Sequence, residues 1–208
     1  MRSKYFLVFL LISFFTANSF GKTSDELKYE LKKNRYLVSV KPNDPLAHFN
    51  LAMTYAYTGY VDEGFEELKI VNKLDANFAQ KTVSQNRLKI ISNPSEWHNY
   101  FYNGFTCYFI GNKKEAMEMF KKVLELKPED EVLAWTMGYM AVLYADQKNF
   151  KDGIDLLKKA ILLEPEGAYL HLALGFGYKE TGNILDATKH LLKGARLKAT
   201  QKKVDEEL

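Results

Sequence analysis

Four histidines and one cysteine are the side chains of this sequence best suited to metal or nucleophilic chemistry, and their spacing supports neither. His48, His98, His171 and His190 are scattered through the chain with no HExxH pattern. A zinc site needs several ligands at coordination spacing, so this distribution predicts structural or surface histidines. Cys107 follows His98 by nine residues on what reads as one helix. At about 1.5 Å of rise per residue the two sit too far apart along the axis to form a Cys/His nucleophile pair. Gly175 and Gly177 fall inside an amphipathic pattern rather than in a phosphate-cradling loop. The expectation is therefore a protein with no cofactor, no metal and no catalytic residues, hence not an enzyme. An active site built on an inserted segment or an inter-repeat cleft is the disfavoured alternative.

The elements that must carry any other function begin after a distinctive N-terminus. Arg2 and Lys4 precede the apolar run Tyr5 to Phe15, and small residues come next in "TANSFG". Residues 1–21 thus read as a secretory signal peptide, cleaved after Ser19 or after Gly21, with an uncleaved anchor disfavoured by the shortness of the run. The expected location is periplasmic or extracellular. One cysteine excludes an internal disulfide, so the domain must be held by its core. Apolar content of 47% suits that. The formal charge of +3 includes Arg2 and Lys4. Past the leader the chain is nearly neutral, and that argues against nucleic-acid binding.

The rest of the chain repeats. "GNKKEAMEMFKKVLELKPED" from Gly111 is echoed from Gly59, Lys148 and Gly182, each time after a second amphipathic segment. Units start at Pro45, Trp97, Ala134 and Ala168, with successive starts 52, 37 and 34 residues apart. Their small residues align as Ala52, Gly104, Ala141 and Gly175, and again as Gly64, Ala116, Gly153 and Ala187. Tyr55, Cys107, Tyr144 and Tyr178 align, as do Leu68, Phe120, Leu157 and Leu191. Gly59, Gly111, Lys148 and Gly182 stand between the two segments, and Pro128 and Pro165 close the middle units. Asn112, Asn149 and Asn183 are each followed three residues later by an acid, the pattern of a helix N-cap.

This pattern resembles the tetratricopeptide repeat, a unit of about 34 residues made of two antiparallel helices with small residues at positions 8 and 20. The resemblance implies an all-α, right-handed superhelical solenoid of antiparallel helix pairs. Its expected parts are a capping helix within 22–44, repeats at 45–78, 97–130, 134–167 and 168–201, an inserted helical segment at 79–96 and a polar tail at 202–208. Asn103 departs from the pattern, standing where Leu51 and Leu174 stand in other units. That departure predicts a looser or shifted first helix in the second unit.

Members of this family line a concave groove with positions 2, 5, 9, 12 and 13 of each first helix. Carried onto this chain, the groove residues are Phe49, Met53, Phe101, Phe105, Tyr108, Trp135, Val142, Tyr169, Leu172 and Phe176. The Lys, Arg and Asn set that clamps chaperone tails in this family is missing from these positions. Two readings stay open: a groove that accepts a partner's apolar side chains, or a superhelix tight enough for these rings to be core. The resemblance implies a protein-interaction scaffold, in envelope biogenesis or secretion, with self-association into a homo-oligomer through the same face as the alternative. Lys189, Lys193 and Arg196 share one face of the last helix, where contact with an anionic membrane surface is the less favoured reading and complementing the helix dipole the simpler one.

Overall fold

The structure, a computed structural model, describes residues 24–206; the leader expected at 1–21 lies outside them. Among the described residues ten helices succeed one another without a strand: α1 Ser24–Val40, α2 Pro45–Tyr57, α3 Val61–Leu74, α4 Phe78–Ser92, α5 Trp97–Phe109, α6 Lys113–Leu126, α7 Asp130–Asp146, α8 Phe150–Leu163, α9 Ala168–Glu180 and α10 Ile184–Glu206. They form an all-α solenoid of antiparallel pairs of the tetratricopeptide type: α2 with α3, α5 with α6, α7 with α8 and α9 with α10. The helix α1 packs on α2, and α4 is an additional helix set between the first two pairs. Two boundaries differ from the repeat arithmetic. The acids Asp130 and Glu131 let α7 begin at Asp130, ahead of Ala134, because negative charge in a first turn complements the helix dipole. At the other end α10 continues to Glu206, past residue 201.

Close approach of paired helices comes from the aligned small residues. A side chain at Gly64 would press on the Ala52 carbonyl, and one at Gly153 would press on the Ala141 carbonyl in the same way two units later. At Gly104 and Gly175 the neighbours are Phe120 and Leu191, which fill the space a Cβ would take. Each Asn cap works as its spacing requires. The Asn112 Oδ1 accepts from the Glu115 N–H, and its Nδ2 donates to the Glu115 carboxylate at 2.8 Å; Asn149–Asp152 and Asn183–Asp186 repeat the arrangement at 2.7 and 2.8 Å.

The second unit shows why Asn103 is not leucine. Asn103 is fully buried, and its Nδ2 donates to Glu115 at 3.2 Å. Glu115 in turn takes a two-pronged pair from Arg87 of α4, at 2.9 and 2.6 Å. Bidentate pairing of this kind fixes orientation as well as attraction. The inserted helix is thereby docked onto α6, and the polar residue in α5 belongs to that dock.

Turns between paired helices need a left-handed residue. Gly59, Gly111 and Gly182 supply it with φ of 87°, 82° and 79°, whereas Lys148 occupies the equivalent turn at φ 60°. A left-handed conformation costs an L-residue about 1–2 kcal/mol that glycine does not incur. Lys148→Gly should therefore raise the melting temperature by about 2–4 °C in a thermal scan. Gly59→Ala should lower it by at least as much, since the added methyl meets both the strained φ and the ring of Trp135. An unchanged melting temperature in both variants would contradict this reading of the turns.

Candidate functional site

Of the ten residues the groove pattern nominates, the structure buries five. Met53, Phe101 and Phe105 have no exposed surface, and Phe49 and Trp135 retain 4% and 6%. Tyr108 is half-buried. The first repeat covers the rings of α5 and α7, while α4 and α5 cover Phe49 of α2. Tyr57 of α2 stands edge-on to Phe101 at 5.6 Å, and Phe65 of α3 lies 5.5 Å from Phe105, 6.0 Å from Tyr108 and 6.1 Å from Phe109. Phe49 sits edge-on to Tyr102 at 6.0 Å and against Phe78 of α4 at 5.5 Å. The turn at Gly59 rests on Trp135, and the Tyr139 hydroxyl of α7 donates to the Ala56 carbonyl at 2.9 Å. The groove of a regular solenoid is thus occupied here by α2 and α3, and over the first two units the core reading replaces the open-groove reading.

The other four residues, Val142, Tyr169, Leu172 and Phe176, come together with Trp135 in a cleft of about 450 Å³ between α7 and α9. Its floor includes Ile154 and Leu157 of α8, and Val61 at the start of α3 forms part of its wall. Phe176 keeps 57% of its surface exposed at the edge. The lining is apolar except for Asp146 and Glu180, which end α7 and α9. Helix C-termini carry partial negative charge, so these two acids add to a negative field at that end of the cleft. Lys113 partly offsets it by pairing with Asp146 at 2.9 Å. Sequence reasoning missed Val61, because it belongs to the second helix of the first unit. No pattern within a single repeat points that residue toward the fourth unit.

The last helix is tied to the third. Lys198 of α10 pairs with Asp62 of α3 at 2.7 Å, and its Nζ lies 4.6 Å from the centroid of the Tyr169 ring. The Lys198 hydrogen bond holds the Asp62 carboxyl below its usual range, and the same contact holds the Lys198 ammonium above its own. Burial pushes the Tyr169 phenol up to about 12. Both members of the pair are well exposed, so its worth is that of a surface bridge, about 0.2–1 kcal/mol.

The chemistry-bearing residues have structural surroundings. Cys107 is buried, and burial followed by the charge of Glu115 pushes its thiol up to about 12, so it is protonated at neutral pH. His98 stacks on Trp97 and pairs with Glu96. His48 lies within 2.5 Å of Glu67, and His171 within 2.9 Å of His190. Among the described residues no group of three or more His, Cys, Asp or Glu is placed to hold a metal ion, and no helix is long and apolar enough to cross a membrane. Lys189, Lys193 and Arg196 are exposed on α10.

The tetratricopeptide repeat family's model matches residues 104–130, the later part of α5 and all of α6. Solved structures with a similar course include a crystal structure of MamA, 18% identical over 86% of this chain and 92% of that one with a TM-score of 0.45. MamA from residue 41 onward, of Desulfovibrio magneticus RS-1, is 19% identical over 85% and 88% with a TM-score of 0.44. MamA of AMB-1 is 22% identical over 84% and 89% with a TM-score of 0.47. No curated protein matches the chain in sequence.

Burial separates the nominated residues into two groups with different mutational behaviour. Phe101→Ala should cost about 3–5 kcal/mol in urea unfolding, the range for emptying an aromatic core site. Phe176→Ala should stay within about 0.5 kcal/mol of wild type, as surface changes do. Comparable losses in the two variants would contradict the division.

Proposed function

We propose that this protein is an exported, non-enzymatic interaction scaffold that takes a short apolar segment of a partner polypeptide into the cleft between α7 and α9. The observation that carries this reading is the cleft itself, because it is the part of the family's groove that the first repeat leaves open. Its volume of about 450 Å³ falls in the range of roughly 300–1,000 Å³ typical of ligand sites. Aromatic walls such as Tyr169 and Phe176 give large contact area at low entropic cost. Asp146 and Glu180 favour a partner segment with a Lys or Arg at the end that meets them. Export rests on the leader pattern at 1–21. A role in envelope biogenesis or secretion is the finer form of the same reading.

Exposed apolar residues on the outer helices support one second reading. Leu162 of α8 and Leu185 and Leu192 of α10 are 81%, 82% and 67% exposed, so association through either helix would remove apolar surface from water. Light scattering on the folded chain distinguishes a monomer from a homo-oligomer built through them.

Selection of a displayed peptide library against the protein tests the cleft directly. Recovered peptides should combine two or three apolar or aromatic residues with a basic residue at one end. Their affinity should fall by about tenfold or more in Leu172→Asp, equivalent to about 1.4 kcal/mol, while Leu192→Asp leaves it unchanged. Peptides that bind both variants as well as wild type would rule the cleft out as the binding site.

A further inference from the structure

Position 4 is histidine in both the first and the fourth repeat, and the two side chains sit in the same cradle. The Nε2 of His48 meets the Pro42 carbonyl at 2.9 Å, and the Nε2 of His171 meets the Pro165 carbonyl at 3.0 Å. A carbonyl can only accept, so each Nε2 carries its hydrogen. The Nδ1 then faces one side chain of the paired helix. For His48 that is the Glu67 carboxylate at 2.5 Å; for His171 it is the Nδ1 of His190 at 2.9 Å, with the two rings stacked 5.2 Å apart.

The two partners impose opposite proton counts. A carboxylate accepts, so the first site is completed by a hydrogen on both nitrogens of His48, the charged form. In the fourth site His171 presents a bare Nδ1 that accepts from His190. One added proton is tolerated, since a charged ring on either side still donates its Nδ1–H to the bare Nδ1 of the other, but protonating both rings sets N–H against N–H at hydrogen-bond distance, with two positive rings in contact. His171 has 2% of its surface exposed, so solvent gives that charge little relief.

We propose that the His171–His190 pair is an acid-released clasp: protonation of both rings parts α10 from α9 and frees the Lys198–Asp62 tie, while the first repeat stays closed. The other charged groups facing the pair do not change this. Glu166, from the turn before α9, faces His171, and Asp186 of α10 faces His190; both are attractive. Lys193 opposes charge on both rings, and Lys189 opposes it on His190. Tyr178 of α9 lies 5.7 Å from the His190 ring, with Lys158 of α8 over its own ring.

Proton affinities run the same way as the geometry. Burial first, and then Lys193, holds His171 below the usual histidine value; burial, then His171 itself, does so for His190. His48 moves in the opposite direction: burial alone would lower it, but the Glu67 contact and the Pro42 carbonyl outweigh that and raise it. Groups held below their unfolded value stabilise the fold above about pH 6.5 and lose that contribution as pH falls through 6.5 toward their folded values. The raised His48 stabilises the fold at low pH and loses its contribution as pH rises through its folded value. Acidification therefore loosens α9–α10 and tightens α2–α3.

Hydrogen exchange of the full chain at about pH 7.5 and about pH 5, corrected for intrinsic rates, reads both ends at once. Protection of α10 amides should fall about tenfold or more relative to α3 at the lower pH, equivalent to about 1.4 kcal/mol. His190→Glu, which copies the first repeat, should abolish or reverse the loss. His190→Gln, which cannot charge, should remove most of it. Equal loss of α10 protection in wild type and both variants, or no loss in wild type, overturns the proposal.

Discussion

Tyr57 and Phe65 of the first repeat are pressed onto Phe101 and Phe105 of the second, and everything distinctive about this molecule depends on that contact. Ring centroids 5.6 and 5.5 Å apart, at interplanar angles of 74° and 43°, lie in the favourable range for aromatic pairs. Such pairs contribute about 0.5–1.5 kcal/mol beyond the area they bury. Phe101 continues the layer to Phe120 and Tyr139, and the Tyr139 hydroxyl returns to the α2 backbone at Ala56. The first repeat thus packs on both the second and the third. A concave surface that could have been solvent-lined becomes the centre of the core.

The inserted helix makes this possible. With α4 docked by Arg87 on Glu115, the first pair is displaced from its place in the row and reaches α7 through Gly59 and Trp135. The same displacement brings α3 to the last repeat, so Val61 forms part of the cleft wall and Asp62 meets Lys198. One insertion thus accounts for the filled groove, for the short cleft that remains and for the tie between the two ends of the array. The cleft and the tie share Tyr169, which lines one and lies beneath the other.

Much of this was legible in the sequence, and the reason is locality. The glycine and alanine positions at 52 and 64 or 141 and 153, and the Asn–acid caps, act within one helix pair. A single repeat therefore contains all the information they need. The course of the first repeat was not legible, because it is decided by contacts such as Ala56–Tyr139 between residues far apart in the chain. Phe101 and Phe105 looked like groove residues, a description that holds only if the row is regular. The 52-residue spacing of the first two units, with its inserted segment at 79–96, and Asn103 were the visible signs that it is not. A buried amide in place of leucine needs a polar partner, and that partner belongs to the dock of the inserted helix.

Thiol accessibility tests the filled groove most directly, because it asks of one groove position in each half whether solvent reaches it. Met53→Cys and Phe176→Cys, each placed in a Cys107→Ser background, are labelled with a maleimide under native conditions. Met53 is fully buried and Phe176 is 57% exposed. The cysteine at 176 should react at the rate of a free thiol, and the one at 53 should react only as fast as the protein unfolds. Equal, rapid labelling at both positions in folded protein would mean that the groove is open along its length, contradicting the burial of its residues over the first two repeats.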